Sequence, residues 1–228
     1  MKGAIFDFNG TLFYDSDIHF IAWKRFFEKR AIPVPSPEYF QKNFVGTTTT
    51  EIFKKHVDPN ITPEQIAALS EEKENLYFDI CLENPQRMHL NEGAEELFDL
   101  LSENNIPFML ATGSPKLNMD FYFRHLPIKK WFSYEKNIIY EDFSRRGKPD
   151  PAIYLAAAAH LGLPAKECVV FEDAMAGYLA ARDAGVGGIV MVGSKRDTAM
   201  FRGLPGVSAI VEDLSEHRAL LKTLGFTI

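Results

Sequence analysis

Cysteine is scarce in this chain. Its two, Cys81 and Cys168, lie far apart, and the second sits inside the apolar run Cys168-Val169-Val170-Phe171. They read as core thiols in a reducing compartment rather than as a disulfide framework. No apolar stretch reaches the roughly 18 residues that a membrane span needs, and the N-terminus enters a strand without a signal-peptide pattern. Positive charge is not in excess: 25 Lys+Arg face 31 Asp+Glu, a net charge of -6. That balance excludes a nucleic-acid or anionic-membrane surface as the main partner. It does not exclude a small anionic substrate, for which a few local cations suffice. No segment repeats at a fixed period, and none is of low complexity. A cytoplasmic, monomeric, globular protein is the expectation, and 46% hydrophobic residues suffice for a sizeable core.

Short apolar runs predict buried strands at 4–8, 108–111, 168–171, 188–192 and 208–211. Between the later ones lie helical patterns at 93–103, 115–126, 151–161 and 174–184. Strand alternating with helix implies parallel strands joined by right-handed crossovers, a doubly wound α/β sheet of about five strands. Ser114-Pro115 and Asp150-Pro151 each set a capping residue before a proline suited to the first helical position. Thr62 and Gln65 have capping-box spacing. The first two strands are separated by about a hundred residues without strand pattern, where a simple crossover needs only about a dozen. This stretch reads as an inserted all-α cap with helices at 17–30, 37–43, 48–56 and 63–83. The expected domains are a core of 1–14 and 88–228 and a cap of 15–87. Phe20, Trp23, Phe26 and Phe27 share one face of the first cap helix and read as packing.

Four pieces carry chemistry. Ala4-Ile5-Phe6-Asp7-Phe8-Asn9-Gly10-Thr11 takes an apolar strand abruptly onto a carboxylate, which is expensive to bury without a metal, a hydrogen-bond network or a reaction. Leu110-Ala111-Thr112-Gly113-Ser114 ends a strand on hydroxyls at a helix start. Gly147-Lys148-Pro149-Asp150-Pro151 precedes a helix, and Phe171-Glu172-Asp173-Ala174-Met175-Ala176-Gly177 again ends a strand on carboxylates. In this order the pieces resemble the motifs of the haloacid dehalogenase superfamily, over essentially the whole chain. The resemblance is to the helical-cap subgroup that includes β-phosphoglucomutase, phosphoglycolate phosphatase and the phosphonatases. His19-Phe20-Ile21-Ala22-Trp23-Lys24 resembles the first cap helix of β-phosphoglucomutase.

The resemblance implies a Rossmann-like core and a phosphatase-type hydrolase acting on a small phosphorylated metabolite, such as a sugar phosphate. Asp7 would be the nucleophile, forming an aspartyl-phosphate. Phosphoryl transfer needs neutralised oxygens and in-line positioning, and Mg²⁺ suits a site of carboxylates and waters. Its ligands would be Asp7, Asp173 and Glu172 with the backbone carbonyl of Asn9. Thr112, Gly113 and Ser114 would hold phosphate at a helix start, Lys148 would supply charge, and His19 would face the substrate. Arg145 and Arg146 read as solvent-facing.

Asn9 departs from the pattern, which has an aspartate there as general acid and base. An amide donates hydrogen bonds but does not cycle a proton, and general acid–base catalysis contributes roughly 10²–10⁴ in rate, about 3–5 kcal/mol. Esters of poor leaving groups would suffer most. Four readings stand open: a phosphatase that borrows His19 or Asp15 as its base; a binder of phosphorylated metabolites without turnover; a different chemistry, such as a phosphonatase using Lys42, Lys54 or Lys55; and a substitution made to trap a complex. Asn9-Gly10 is also a pair that cyclises and deamidates when the backbone is flexible, so ageing samples are expected to gain Asp or iso-Asp there. The loop 43–50, Asn-Phe-Val-Gly followed by four threonines, is expected to face substrate. It lacks the basic residues of β-phosphoglucomutase, which counts against a phosphomutase. The threonines fit a polyol contact and a helix start equally.

Overall fold

The computed structural model describes residues 1–44, 47–142, 144–194 and 198–228. Val45 and Gly46 of the expected substrate loop lie outside the described residues. The chain divides into two compact units, Met1–Tyr14 with His89–Ile228, and Asp15–Met88.

The first unit is built on strands β1 (Gly3–Phe6), β2 (Phe108–Pro115), β3 (Ile138–Glu141), β4 (Cys168–Glu172), β5 (Gly188–Val192) and β6 (Val207–Val211), in spatial order β3-β2-β1-β4-β5-β6. Every pairing is parallel. The central strands β1, β4 and β5 are buried throughout. Parallel strands covered on both faces read as continuous apolar runs rather than alternating ones, which is why these were legible. The sequence indicated five strands, and six form among the described residues. The additional one, β3, is a four-residue edge strand, largely half-buried, so its run Ile138-Ile139-Tyr140-Glu141 gives little signal.

The second unit holds α1 (Ser16–Glu28), α2 (Pro37–Asn43), α3 (Thr49–His56) and α4 (Pro63–Glu83). Trp23, Phe26 and Phe27 of α1 are buried with Phe40, Phe44, Ile52, Phe53 and Ile61, and the Trp23 ring lies 5.4 Å from both Phe27 and Phe53. The aromatic stripe is core. Thr62 and Gln65 form the expected capping box. Thr48 and Glu51 form another at α3, so Thr48 to Thr50 serve as a helix start.

The first unit continues with α5 (Ala94–Glu103), α6 (Lys116–His125), α7 (Ala152–His160), α8 (Met175–Asp183) and α9 (His217–Thr223). One face of the sheet packs Ile5, Met109, Val170 and Met191 against Tyr154, Ala157 and Tyr178 of α7 and α8. On the other, Phe6 meets Phe98 of α5 edge-on at 5.2 Å. The seven-residue α9 was not legible in the sequence. One expected helix start is corrected. Gly113, Ser114 and Pro115 stay extended as the end of β2, and α6 begins at Lys116 with Pro115 as its N-cap. The β2–β3 register shifts between Ala111 and Pro115, and the Thr112 hydroxyl accepts the Ser114 N–H at 3.0 Å, which holds this segment out of the helix. At α7, Pro151 has helical angles and Asp150 accepts the Ala152 N–H at 3.0 Å. Both cysteines are free and buried, and burial pushes their thiols up, Cys81 to about 12 and Cys168 to about 11.

Candidate active site

In an open parallel sheet, ligands bind beyond the carboxyl ends of the strands at the point where the strand order reverses. Here that point lies at β1, whose neighbours are β2 and β4. Phe6 is in register with Phe171, and the Asp7 N–H donates to the Phe171 carbonyl at 3.0 Å. The ladder thereby delivers Asp7 beside Glu172 and Asp173. One carboxylate oxygen from each of the three lies within 4.8 Å of the others.

Lys148, from the loop before α7, reaches into this cluster. Its ammonium donates to Asp7 Oδ1 and to Glu172 Oε1, both at 2.6 Å, and lies 5.0 Å from the centre of the Tyr154 ring. The Tyr154 hydroxyl, fully buried, donates to the same Glu172 oxygen. Glu172 Oε2 accepts the backbone N–H groups of Asp173 and Ala174 at 3.0 and 3.3 Å. Glu172 therefore meets four donors, which makes it an anchor for Lys148 and for the following loop. Two glycines permit this packing. A Cβ at Gly177 would overlap the Glu172 carboxylate, and one at Gly10, with φ +80°, would overlap that of Asp173.

The electrostatics reflect three acids around one base. Burial, reinforced by the Glu172 charge, outweighs the pull of Lys148 and pushes the Asp7 carboxyl up to about 7. For Lys148, burial pulls down, but the Asp7 and Glu172 carboxylates more than offset it and keep the ammonium charged. Burial and the neighbouring Glu172 charge hold the Tyr154 phenol well above its ordinary range, so it remains a donor.

Asn9 follows Asp7 in a tight loop that the Gly10 N–H closes onto the Phe13 carbonyl at 2.8 Å. Its Nδ2 donates to the Tyr122 hydroxyl at 2.7 Å, and its Oδ1 accepts from Ser114 Oγ at 2.5 Å. Deamidation needs the Gly10 nitrogen to attack the Asn9 side-chain carbon. Here that nitrogen is engaged and the side chain is held at both ends, an arrangement that opposes the attack in the folded protein. Peptide mapping of aged native protein should find Asn9 intact, with conversion confined to unfolded samples. Thr112 is buried, whereas Gly113 is exposed with open space where a Cβ would stand.

The expected site residues Asp7, Asn9, Thr112, Gly113, Ser114, Lys148, Glu172 and Asp173 thus all belong to the first unit. His19 belongs to the second. There its Nε2 lies 3.3 Å from Asp15 Oδ2, its Nδ1 is 2.8 Å from the Lys73 ammonium, and its ring stacks on Tyr77 at 4.2 Å. Asp15 is buried and accepts the Tyr77 hydroxyl at 2.7 Å. Arg146 is exposed, while Arg145 is half-buried, donating to the Tyr140 carbonyl at 2.7 Å. Sequence reasoning placed Gly10 and Gly177 inside the motifs without a role and missed Tyr122 and Tyr154 as parts of this arrangement. Tyr154 had one signal, its place in the first turn of a helix opened by Asp150-Pro151.

A doubly wound sheet with carboxylates and one lysine at its switch point defines the class, a Rossmann-like α/β enzyme core. A profile of the haloacid dehalogenase-like hydrolases matches residues 1–185, and the chain belongs to that family. A phosphorylated carbohydrates phosphatase of Thermotoga maritima is 28% identical over 190 residues, 82% of either chain. A β-phosphoglucomutase of Bacillus subtilis is 29% identical over 191 residues, 82% of this chain and 81% of that protein. The crystal structure of a family IA, variant 3 hydrolase from Entamoeba histolytica superposes with a TM-score of 0.88 at 30% identity, covering 99% of this chain and all of that one.

Proposed function

We propose that this chain is a magnesium-dependent phosphatase of a small phosphorylated metabolite. The observation that carries this reading is the cluster of Asp7, Glu172 and Asp173 at the switch point with Lys148 between two of them. Three carboxylates against one ammonium leave an excess of negative charge on hard oxygen donors, the environment that Mg²⁺ occupies. Asp7, Asp173 and the Asn9 carbonyl would be its principal ligands, with Glu172 beside them. When bound, the ion neutralises the phosphoryl oxygens that would otherwise repel Asp7.

In this reading Asp7 attacks phosphorus and becomes an aspartyl-phosphate. Lys148 orients the Asp7 carboxylate and offsets phosphoryl charge. In this reading the Thr112 hydroxyl, which accepts the Ser114 N–H, and the exposed Gly113 backbone would contact phosphate oxygens. The similarity to a phosphatase of phosphorylated carbohydrates supports phosphatase chemistry on a small phosphorylated metabolite.

The test is phosphate release from a panel of phosphorylated metabolites with Mg²⁺. Release that stops on chelation and returns with Mg²⁺ is expected. Phosphorylated ligands that bind with no release from any donor would make the protein a binder instead.

A further inference from the structure

Residue 9 decides which phosphates such a site can use. The Asn9 amide is clamped, its oxygen by Ser114 and one N–H by Tyr122. An amide has no proton to surrender as a carboxyl group does. Ser114 and Tyr122 bond to Asn9 through hydroxyls rather than through a carboxyl group. The replacement bases suggested by the sequence are committed within the second unit. His19 has Lys73 on one ring nitrogen and Asp15 on the other, and Asp15 is buried under the Tyr77 hydroxyl.

Resting on the phosphatase reading above, we propose that this chain is selective for phosphates whose leaving groups depart unprotonated, namely acyl, enol and aryl phosphates, and that it rests between turnovers as phospho-Asp7. In the first step an Asp7 oxygen bonds to phosphorus and the bond from phosphorus to the leaving oxygen breaks. The leaving group takes the electron pair and collects its proton from water. In the second, water bonds to phosphorus, the bond to Asp7 breaks with its electron pair returning to the carboxylate, and the surplus proton passes to solvent. With an amide rather than a carboxylate at position 9 to activate that water, the second step is slow and the intermediate accumulates. A stable leaving group speeds only the first step. An alkyl phosphate such as a sugar 6-phosphate is slow in both.

The experiment is rapid-quench kinetics with Mg²⁺ on the unaltered chain, comparing p-nitrophenyl phosphate, acetyl phosphate and glucose 6-phosphate. A burst of p-nitrophenol near one equivalent per protein is expected, then slow turnover. Intact-protein mass should show a phosphorylated species that hydroxylamine removes. Glucose 6-phosphate should react at least ~10²-fold more slowly than the aryl ester, and Asn9→Asp should raise its turnover by roughly 10²–10⁴ and abolish the burst. Glucose 6-phosphate hydrolysed as fast as the aryl ester, without burst or label, overturns the inference and leaves the phosphatase reading standing. No label and no phosphate from any donor overturns both. The measurements on the unaltered chain decide the matter even if Asn9→Asp fails to fold.

Discussion

Asp7→Asn is expected to give a folded protein that releases phosphate at least ~10³-fold more slowly than the parent, because the proposed covalent route loses its nucleophile. Stability should move the other way. The folded protein holds the Asp7 proton up to about 7, whereas an ordinary carboxyl releases it near 3.8. Between those values the native state binds more protons than the unfolded chain, so stability falls as pH rises, and above pH 7 the full cost is present. An amide carries no charge to desolvate, and Lys148 keeps Glu172 as its partner at 2.6 Å. The metal-free variant should therefore melt no lower than the metal-free parent at pH 8. Inactivity accompanied by a large drop in melting temperature would make Asp7 a structural residue instead.

Lys148→Met should damage both properties. The ammonium is the shared donor to Asp7 and Glu172, and its loss leaves like charges facing each other in a buried place. Removing one partner of a buried ion pair costs about 3–5 kcal/mol, on the order of 10 °C in a chain of this size. Loss of a charge aimed at developing oxyanions costs about 10²–10³ in rate. Part of the stability should return with Mg²⁺, since a bound cation stabilises the folded state by mass action and replaces the missing charge. Calorimetry with and without Mg²⁺ measures this directly. A variant as stable as the parent in metal-free buffer would show that Lys148 does not balance the acids.

The two replacements divide the site's physics. In the proposed function Asp7 would supply reactivity at a cost in stability, and Lys148 would limit that cost. Tyr154 belongs with Lys148. Its hydroxyl shares a Glu172 oxygen with the ammonium, and its ring lies beneath that ammonium. Such a network holds its charged groups in one arrangement only while each donor and acceptor is satisfied.

Local chemistry made much of this protein legible in its sequence. The runs ending at Asp7 and Glu172-Asp173 pack apolar side chains on both faces of a strand and then stop on carboxylates, a pattern that needs no tertiary knowledge to read. Thr62 with Gln65 sets a helix start through bonds spanning four residues. The aromatic stripe of α1 is periodic over one helix. Tertiary structure alone decided what depends on residues distant in the chain. Lys148 is 141 positions from Asp7, and no local rule places its ammonium between Asp7 and Glu172 rather than in solvent. The Ser114 hydroxyl, which local propensity assigned to a helix cap, bonds instead to Asn9 across the sheet edge, because the Thr112 hydroxyl and the β2 register hold it in extended backbone. The amide at position 9 was plain in the sequence. Only the fold showed the Ser114 and Tyr122 hydroxyls bonding to it, and His19 and Asp15 bonded to partners of their own, because side chains are oriented by packing between elements and not by their order along the chain.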